Sequence, residues 1–260
     1  MPFASNSGIR IHYEVEGEGP SMVLQHGFTT SLEGWRAAGY VDALKGDYQL
    51  ILVDARGHGA SDKPHAPEAY EGTFMAGDVV AVLDDLGIDR ARFWGYSMGG
   101  RIGFFLATHF PDRFHCFVLG GISPHFRPEE RQDVAIGFEA MKRGGLAAYI
   151  AVRERTAGPL PPEQKARILA NDAEALFAVW EAMDRTHGLW DRLPGIPVPC
   201  LLYTGGDDAR FAGAKEAAAF IPRAEFFSLP GLNHGQGMAR SDLVLPRVRK
   251  FLERVRVSVK

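Results

Sequence analysis

A serine set between two glycines, Gly95-Tyr96-Ser97-Met98-Gly99, is the residue of this sequence best placed to do chemistry. The string fits G-x-S-x-G and stands where it has a mechanical purpose. An apolar run, Ala91 to Trp94, precedes it, and a helical pattern, Met98 to His109, follows. A strand that turns directly into a helix crowds the backbone at the corner. The residues two before and two after the serine must therefore be small, and Gly95 and Gly99 are; Gly100 adds clearance toward the sheet. Such a turn exposes the Ser97 hydroxyl above the strand end, beside the unpaired N–H groups and partial positive charge of a helix start.

With His26-Gly27-Phe28 upstream and Asp54-Ala55-Arg56-Gly57-His58-Gly59-Ala60-Ser61 after a further apolar run, Ser97 in this setting resembles the α/β-hydrolase superfamily. The resemblance covers essentially the whole chain. It implies an α/β fold with a doubly wound, mostly parallel sheet of about eight strands. It also implies roles for particular residues. Ser97 is the nucleophile, and the backbone N–H groups of Phe28 and Met98 form an oxyanion hole, where each fixed donor is worth about 3 kcal/mol of barrier. The acid and the base follow the nucleophile in the order carboxylate, then histidine. In similar proteins the acid ends a G-x-x-D pattern. In Gly205-Gly206-Asp207-Asp208 the count from Gly205 reaches Asp208, with Asp207 one residue away as the alternative. His234, in Pro230-Gly231-Leu232-Asn233-His234-Gly235, is the only histidine after Asp208, although Asn233 stands where related proteins often carry glycine or alanine. Deprotonated by His234, with Asp208 fixing the imidazole tautomer, Ser97 would attack a carbonyl and form an acyl-enzyme. His26, Asp54 and Arg56 are expected to order loops rather than react. A serine at 97 sets the chain apart from the dehalogenase and epoxide-hydrolase branches, whose nucleophile is a carboxylate.

These side chains need strand ends to stand on. Residues 9–16 alternate, with Ile9, Ile11, Tyr13 and Val15 on one face, as in a half-buried strand. Short apolar runs follow at Met22–Leu24, Leu50–Val53, Ala91–Trp94, Phe117–Leu119 and Leu201–Tyr203, with Glu225–Leu229 a further candidate, as in strands covered on both faces. Between them lie helical patterns: one capped by Thr73 and ended by Gly87, then Met98–His109, Ala212–Phe220 and Asp242–Val255. Strand and helix in alternation predict a parallel sheet with helices on both faces. The interval 124–197 breaks the alternation. It reads as helices only, over Pro128–Arg143, Leu146–Arg155, Pro162–Asn171 and Asp172–Asp184, with prolines at both joins. The expected organisation is a core of 1–123 and 198–260 with a helical cap inserted at 124–197. A plain crossover needs only a dozen or so residues.

Composition bounds what the chain can do. It has 260 residues, 46% hydrophobic and 23% charged, which is ordinary globular usage. A net charge of −3 supplies no counterion-release drive toward nucleic acid or anionic membrane. A small, neutral or weakly charged molecule is the expected partner, and oligomeric state is left open. Two cysteines, Cys116 and Cys200, exclude a disulfide framework and read as reduced core thiols. No signal-peptide pattern or membrane-length apolar run is visible, so a cytoplasmic protein is expected. No metal-ligand spacing or dinucleotide fingerprint is present, and no cofactor is implied. Cap aromatics Phe126, Phe138, Tyr149, Phe177, Trp180 and Trp190 could line a pocket facing Ser97 or form the cap's own core. No cluster of arginines marks a phosphate or dicarboxylate pocket, so the expected substrate is a small-to-medium, mostly apolar carboxylic ester. A lactone or a carbon–carbon bond cleaved by the same triad is the alternative, and a non-enzymatic ligand-binding homologue is a third reading.

Overall fold

The computed structural model describes residues 2–124, 128–185 and 188–255. Eight strands form one sheet: β1 (Phe3–Asn6), β2 (Ile9–Glu16), β3 (Ser21–Gln25), β4 (Gln49–Val53), β5 (Ala91–Tyr96), β6 (Phe114–Gly120), β7 (Cys200–Gly205) and β8 (Ala224–Leu229). Their spatial order is β1-β2-β4-β3-β5-β6-β7-β8. The β1–β2 and β2–β4 pairings are antiparallel, and every pairing from β4 to β8 is parallel. Every strand reading of the sequence has its counterpart here. The edge strand β1 is additional; Phe-Ala-Ser-Asn is too short and too mixed to show a period.

Side chains of a strand alternate between faces, and both faces are covered. In β4, Ile51 and Val53 enter one core with Phe93, Phe117, Leu119 and Leu202. Leu50 and Leu52 enter the other, with Trp94, Val118, Leu201 and Tyr203. The covering helices are α1 (Glu33–Ala37), α2 (Tyr40–Leu44), α3 (Gly72–Asp85), α4 (Met98–His109), α5 (Pro128–Ala157), α6 (Pro162–Leu169), α7 (Ala173–Arg185), α8 (Phe211–Phe220), α9 (His234–Ala239) and α10 (Ser241–Arg254). Helix α3 starts one residue before Thr73, so Thr73 lies in its first turn, and the preceding Glu71 makes no side-chain cap. Helices α1 and α2 have five residues each, too few for a helical period to register in the sequence. Cys116 and Cys200 are buried and unpaired with each other, in the apolar runs of β6 and β7.

Helices α5 to α7 occupy the stretch between β6 and β7. Non-helical backbone at Gly144 and Gly145 (φ 66°, ψ −163°) breaks α5 into two segments, at the break the sequence pattern predicts. Phe138 of the first segment stacks on Trp180 of α7 with ring centroids 4.0 Å apart and planes within 5°. Phe138 and Trp180 are both nearly buried. An aromatic pair of this kind adds roughly 0.5–1.5 kcal/mol beyond area burial. Phe126 lies outside the described residues.

Candidate active site

Ser97 sits between β5 and α4 with φ 55° and ψ −117°. Such backbone costs a non-glycine residue about 1–3 kcal/mol, and surrounding bonds hold it. The Ser97 N–H donates to the Gly120 carbonyl at 2.8 Å, and the Ser97 carbonyl accepts from the Arg101 N–H at 3.0 Å. The flanking glycines are demanded by contact with backbone. A Cβ on Gly95 would stand 2.2 Å from the Gly99 carbonyl oxygen, and one on Gly99 would stand 2.1 Å from that of Gln25.

The loops after β7 and β8 bring a carboxylate and an imidazole to this serine. His234 Nδ1 lies 2.7 Å from Asp208 Oδ2, and His234 Nε2 lies 3.0 Å from Ser97 Oγ. An ionised carboxylate only accepts, so Nδ1 carries the proton and Nε2 is left to accept from the serine hydroxyl. The Asp208 side chain is fully buried. Its Oδ1 takes the Arg210 N–H at 3.1 Å and Arg210 Nη1 at 3.3 Å. Burial pushes the Asp208 carboxyl up, but the His234 charge and hydrogen bond together with Arg210 outweigh it and hold the group below the usual carboxylate range. His234 is lowered from the ordinary histidine value, first by desolvation and then by Arg210 and Arg153, with Asp208 opposing. Its imidazole is thus held neutral at neutral pH. Asp207 is exposed, and its N–H is spent on the Leu232 carbonyl at 3.0 Å. Of the two adjacent carboxylates, Asp208 is the one that meets the histidine.

The His234 loop is less free than its glycines imply. Asn233 caps α9 in a reciprocal box: its side chain accepts from the Gln236 N–H at 3.0 Å, while the Gln236 side chain accepts from the Asn233 N–H at 2.9 Å. His234 is therefore the first residue of a short helix. The Tyr96 hydroxyl donates to its carbonyl at 2.6 Å. Both supports escaped the sequence reading, although an Asn followed three residues later by Gln is a visible capping signal.

Met98 opens α4, so its N–H has no acceptor within the helix. Phe28 follows the end of β3, and a Cβ on the neighbouring Gly27 would stand 3.3 Å from Ser97 Cβ. Among the described residues, neither N–H is paired with a backbone carbonyl. His26, Asp54 and Arg56 take up the loops around them. His26 Nε2 accepts from the Ala55 N–H at 3.1 Å, and Asp54 accepts from the N–H groups of Leu32 (2.9 Å) and Ala60 (3.0 Å). Arg56 pairs with Asp78 rather than with Asp54.

A cavity of about 1020 Å³ opens on Ser97 and His234. Phe28, Met98, Phe138, Tyr149 and Trp180 give it an apolar wall, so Phe138 and Trp180 both line the cavity and pack the inserted helices. Phe177 and Trp190 lie elsewhere, under Lys142 and against Phe220 respectively. The wall is not uniformly apolar. Lys63, Arg101, Arg153, Arg167 and Arg210 also line it, and no Asp or Glu does among the described residues. The sequence shows no arginine cluster, yet folding gathers four arginines and a lysine here, because they come from separate stretches of the chain. Also among the described residues, no three His, Cys, Asp or Glu side chains converge as metal ligands, and no helix is long and apolar enough to cross a membrane.

Residues 20–230 match the family model described as alpha/beta hydrolase fold. A 3-oxoadipate enol-lactonase of Acinetobacter baylyi is 37% identical over 211 residues, covering 77% of this chain and 76% of that protein. The crystal structure of the enol-lactonase from Burkholderia xenovorans LB400 superposes with a TM-score of 0.84 at 30% identity, over 97% of this chain and all of the other. An esterase from a Rhodococcus species superposes at 0.81 with 28% identity, over 98% of both chains.

Proposed function

The chain belongs to the α/β-hydrolase fold family, and from that premise we propose that it is a serine hydrolase of carboxylic esters. The observation that carries this reading is the unbroken line of hydrogen bonds from Asp208 through His234 to Ser97 at the foot of a cavity. In the proposed cycle Ser97 Oγ bonds to the ester carbonyl carbon while its proton passes to His234 Nε2. The carbonyl oxygen becomes an oxyanion facing the N–H groups of Phe28 and Met98. The tetrahedral species then collapses: the C–O bond to the alcohol breaks, and His234 returns the proton to the departing oxygen. Water repeats the sequence on the acyl-enzyme and releases the acid. Asp208 stays ionised throughout and steadies the imidazolium. Residues 124–197 act in this reading as a cap whose Phe138, Tyr149 and Trp180 shape the acyl or alcohol site.

A lactone, in which the alcohol stays tethered to the acyl group, is the second reading. It is favoured by the two enol-lactonases among the relatives. A panel of 4-nitrophenyl alkanoates and five- and six-membered lactones tests both. The expected result is turnover of at least one class, with an acyl adduct on Ser97 trapped by acid quench and mapped by mass spectrometry. Folded protein that turns over neither class, with no adduct, would overturn the proposal.

A further inference from the structure

The turn that carries the proposed oxyanion donor Phe28 is held from outside by a residue of the inserted helices. The Thr30 N–H reaches the Gly27 carbonyl at 3.4 Å and closes the turn 27–30. Thr29, its third residue, lies at φ 61°, a conformation that a β-branched residue keeps only where its surroundings impose it. Thr29 is buried, and among the described residues its hydroxyl has no partner, so the hold falls on its backbone. Asn171, in the corner between α6 and α7, supplies it. Asn171 Nδ2 donates to the Thr29 carbonyl at 3.2 Å, and to the carbonyls of Arg167 at 2.9 Å and Ile168 at 3.1 Å at the end of α6. Three carbonyls around one nitrogen fix the amide's orientation, because only its NH₂ end can donate. The corner is fastened further: Asp172 accepts the Ala175 N–H at 3.0 Å, and the ring nitrogens of His65 lie 3.0 Å from Asp172 and from Glu174.

Two planar peptide units stand in series between Asn171 and the Phe28 N–H. The Thr29 carbonyl and the Thr30 N–H belong to one unit, and the Gly27 carbonyl and the Phe28 N–H belong to the other. In a trans unit the carbonyl and the N–H point in opposite directions, and no peptide bond among the described residues is cis. Asn171 holds the first carbonyl and so keeps the Thr30 N–H turned toward Gly27. The Gly27 carbonyl also takes the Thr30 hydroxyl at 2.9 Å and His26 Nδ1 at 2.8 Å. That nitrogen carries the proton, because His26 Nε2 accepts from the Ala55 N–H. Three donors on the Gly27 carbonyl aim the Phe28 N–H the other way, and each amide in such a chain polarises the next. We infer that Asn171 is a positioning residue for the proposed reaction, setting the direction of the Phe28 N–H through Thr29 and Gly27. The inference rests on the ester-hydrolase reading and concerns the oxyanion side of that site. Asn171 also lines the cavity, so direct contact with substrate is the competing role. The two roles separate by their effects on ground state and transition state.

The test follows hydrolysis of two homologous esters or lactones of different chain length. It adds inhibition by a trifluoromethyl ketone, which takes up the serine and becomes an oxyanion, and by a secondary alcohol of the same shape, which has no carbonyl. Asn171→Ala is expected to lower kcat about tenfold, against the roughly 10²–10³ that outright loss of an oxyanion donor costs. The loss should be equal for both substrates and matched by weaker inhibition by the ketone, while KM and inhibition by the alcohol stay within about twofold. Asn171→Ser keeps a donor for the end of α6 but is one bond shorter, and should show the same pattern. Thr30→Val, which removes the hydroxyl from the Gly27 carbonyl, should show it too. A kcat within twofold of the parent in any of these variants, once shown to be folded, would overturn the inference. So would a loss carried by KM and by the alcohol, or one that differs several-fold between the two substrates, since direct contact acts in that way. Parent protein that still reacts through a Ser97 adduct would in those cases leave the ester-hydrolase reading standing. Parent protein that turns over neither class, with no adduct, would remove both.

Discussion

Two buried carboxylates that follow parallel strands, Asp54 after β4 and Asp208 after β7, each hold a histidine Nδ1, and of these two histidines only His234 faces the proposed nucleophile. Asp208 Oδ2 meets His234 Nδ1 at 2.7 Å, and Asp54 Oδ2 meets His12 Nδ1 at 2.8 Å. By distance and burial of the carboxylate the pairs are nearly alike. They differ in what lies on the far side of the ring. His234 Nε2 reaches Ser97 Oγ and opens on the cavity. Among the described residues His12 Nε2 has no hydrogen-bond partner; it lies 3.7 Å from Glu14 and outside the cavity lining. The remaining capacity of each carboxylate differs too. Asp208 is steadied by Arg210, whereas Asp54 ties together the chain at Leu32 and Ala60. A carboxylate–histidine pair is therefore not a catalytic feature in itself; the group opposite the second nitrogen decides its use.

Substitutions sharpen this contrast. Asp208→Asn is expected to lower kcat by roughly 10⁴ while the urea midpoint stays close to that of the parent, because the tautomer is lost and the packing is kept. Asp54→Ala is expected to act the other way. It leaves the buried Leu32 N–H, the part-buried Ala60 N–H and buried His12 without their acceptor and should cost about 3 kcal/mol of stability in urea unfolding. If Asp54→Ala were stable and inactive, the two pairs would have to exchange roles.

A pH series separates them further. Asp54 is held below the ordinary carboxylate value: burial raises it, but His26 and the Ala60 and Leu32 N–H groups outweigh that. A lowered folded pKa means that its stabilising contribution is complete above the unfolded value and is lost as pH falls through the folded one. The stability gap between parent and Asp54→Ala should therefore narrow on acidification. In the proposed cycle His234 gates rate instead. Its value is lowered, so activity is full above that point and falls as pH drops through it, with the acid limb of kcat/KM below the ordinary histidine value of 6.5. Arg210→Gln removes a cation beside the ring and should move that limb upward. A limb above 6.5 in the parent would contradict the assignment of the base.

Smaller effects complete the series. Asn233→Ala removes the cap of α9 and should cost about 1 kcal/mol of stability. It should also lower kcat several-fold, because the capped turn presents His234. Asp207→Asn, on an exposed side chain one residue from the acid, should change kcat by less than about twofold; a large loss there would break the geometric choice between the two carboxylates.

Much of this was legible in the sequence for a local reason. The turn around Ser97 requires glycine at 95 and 99 because backbone oxygens stand where a Cβ would be, and such a demand leaves a fixed spacing. Asp208 and His234 are reached through the family resemblance, by the order carboxylate then histidine and the G-x-x-D pattern, which leaves Asp207 open beside Asp208. The sheet was readable from the apolar runs of its strands, and the break in α5 was marked by paired glycines. What escaped is assembled from distant pieces. Lys63, Arg101, Arg153, Arg167 and Arg210 share no motif, and only folding gathers them. The opposite fates of Phe138 and Phe177 depend on which way α5 and α7 meet, which helical spacing does not specify.

The most direct measurement of the central claim is labelling by a serine-directed fluorophosphonate, with the modified peptide mapped in the parent protein and in folded His234→Ala. The account predicts one label per chain, on Ser97, abolished or slowed at least a thousandfold when His234 is replaced. Labelling at another serine, equal labelling without His234, or an unlabelled parent protein under conditions where it is folded would contradict it.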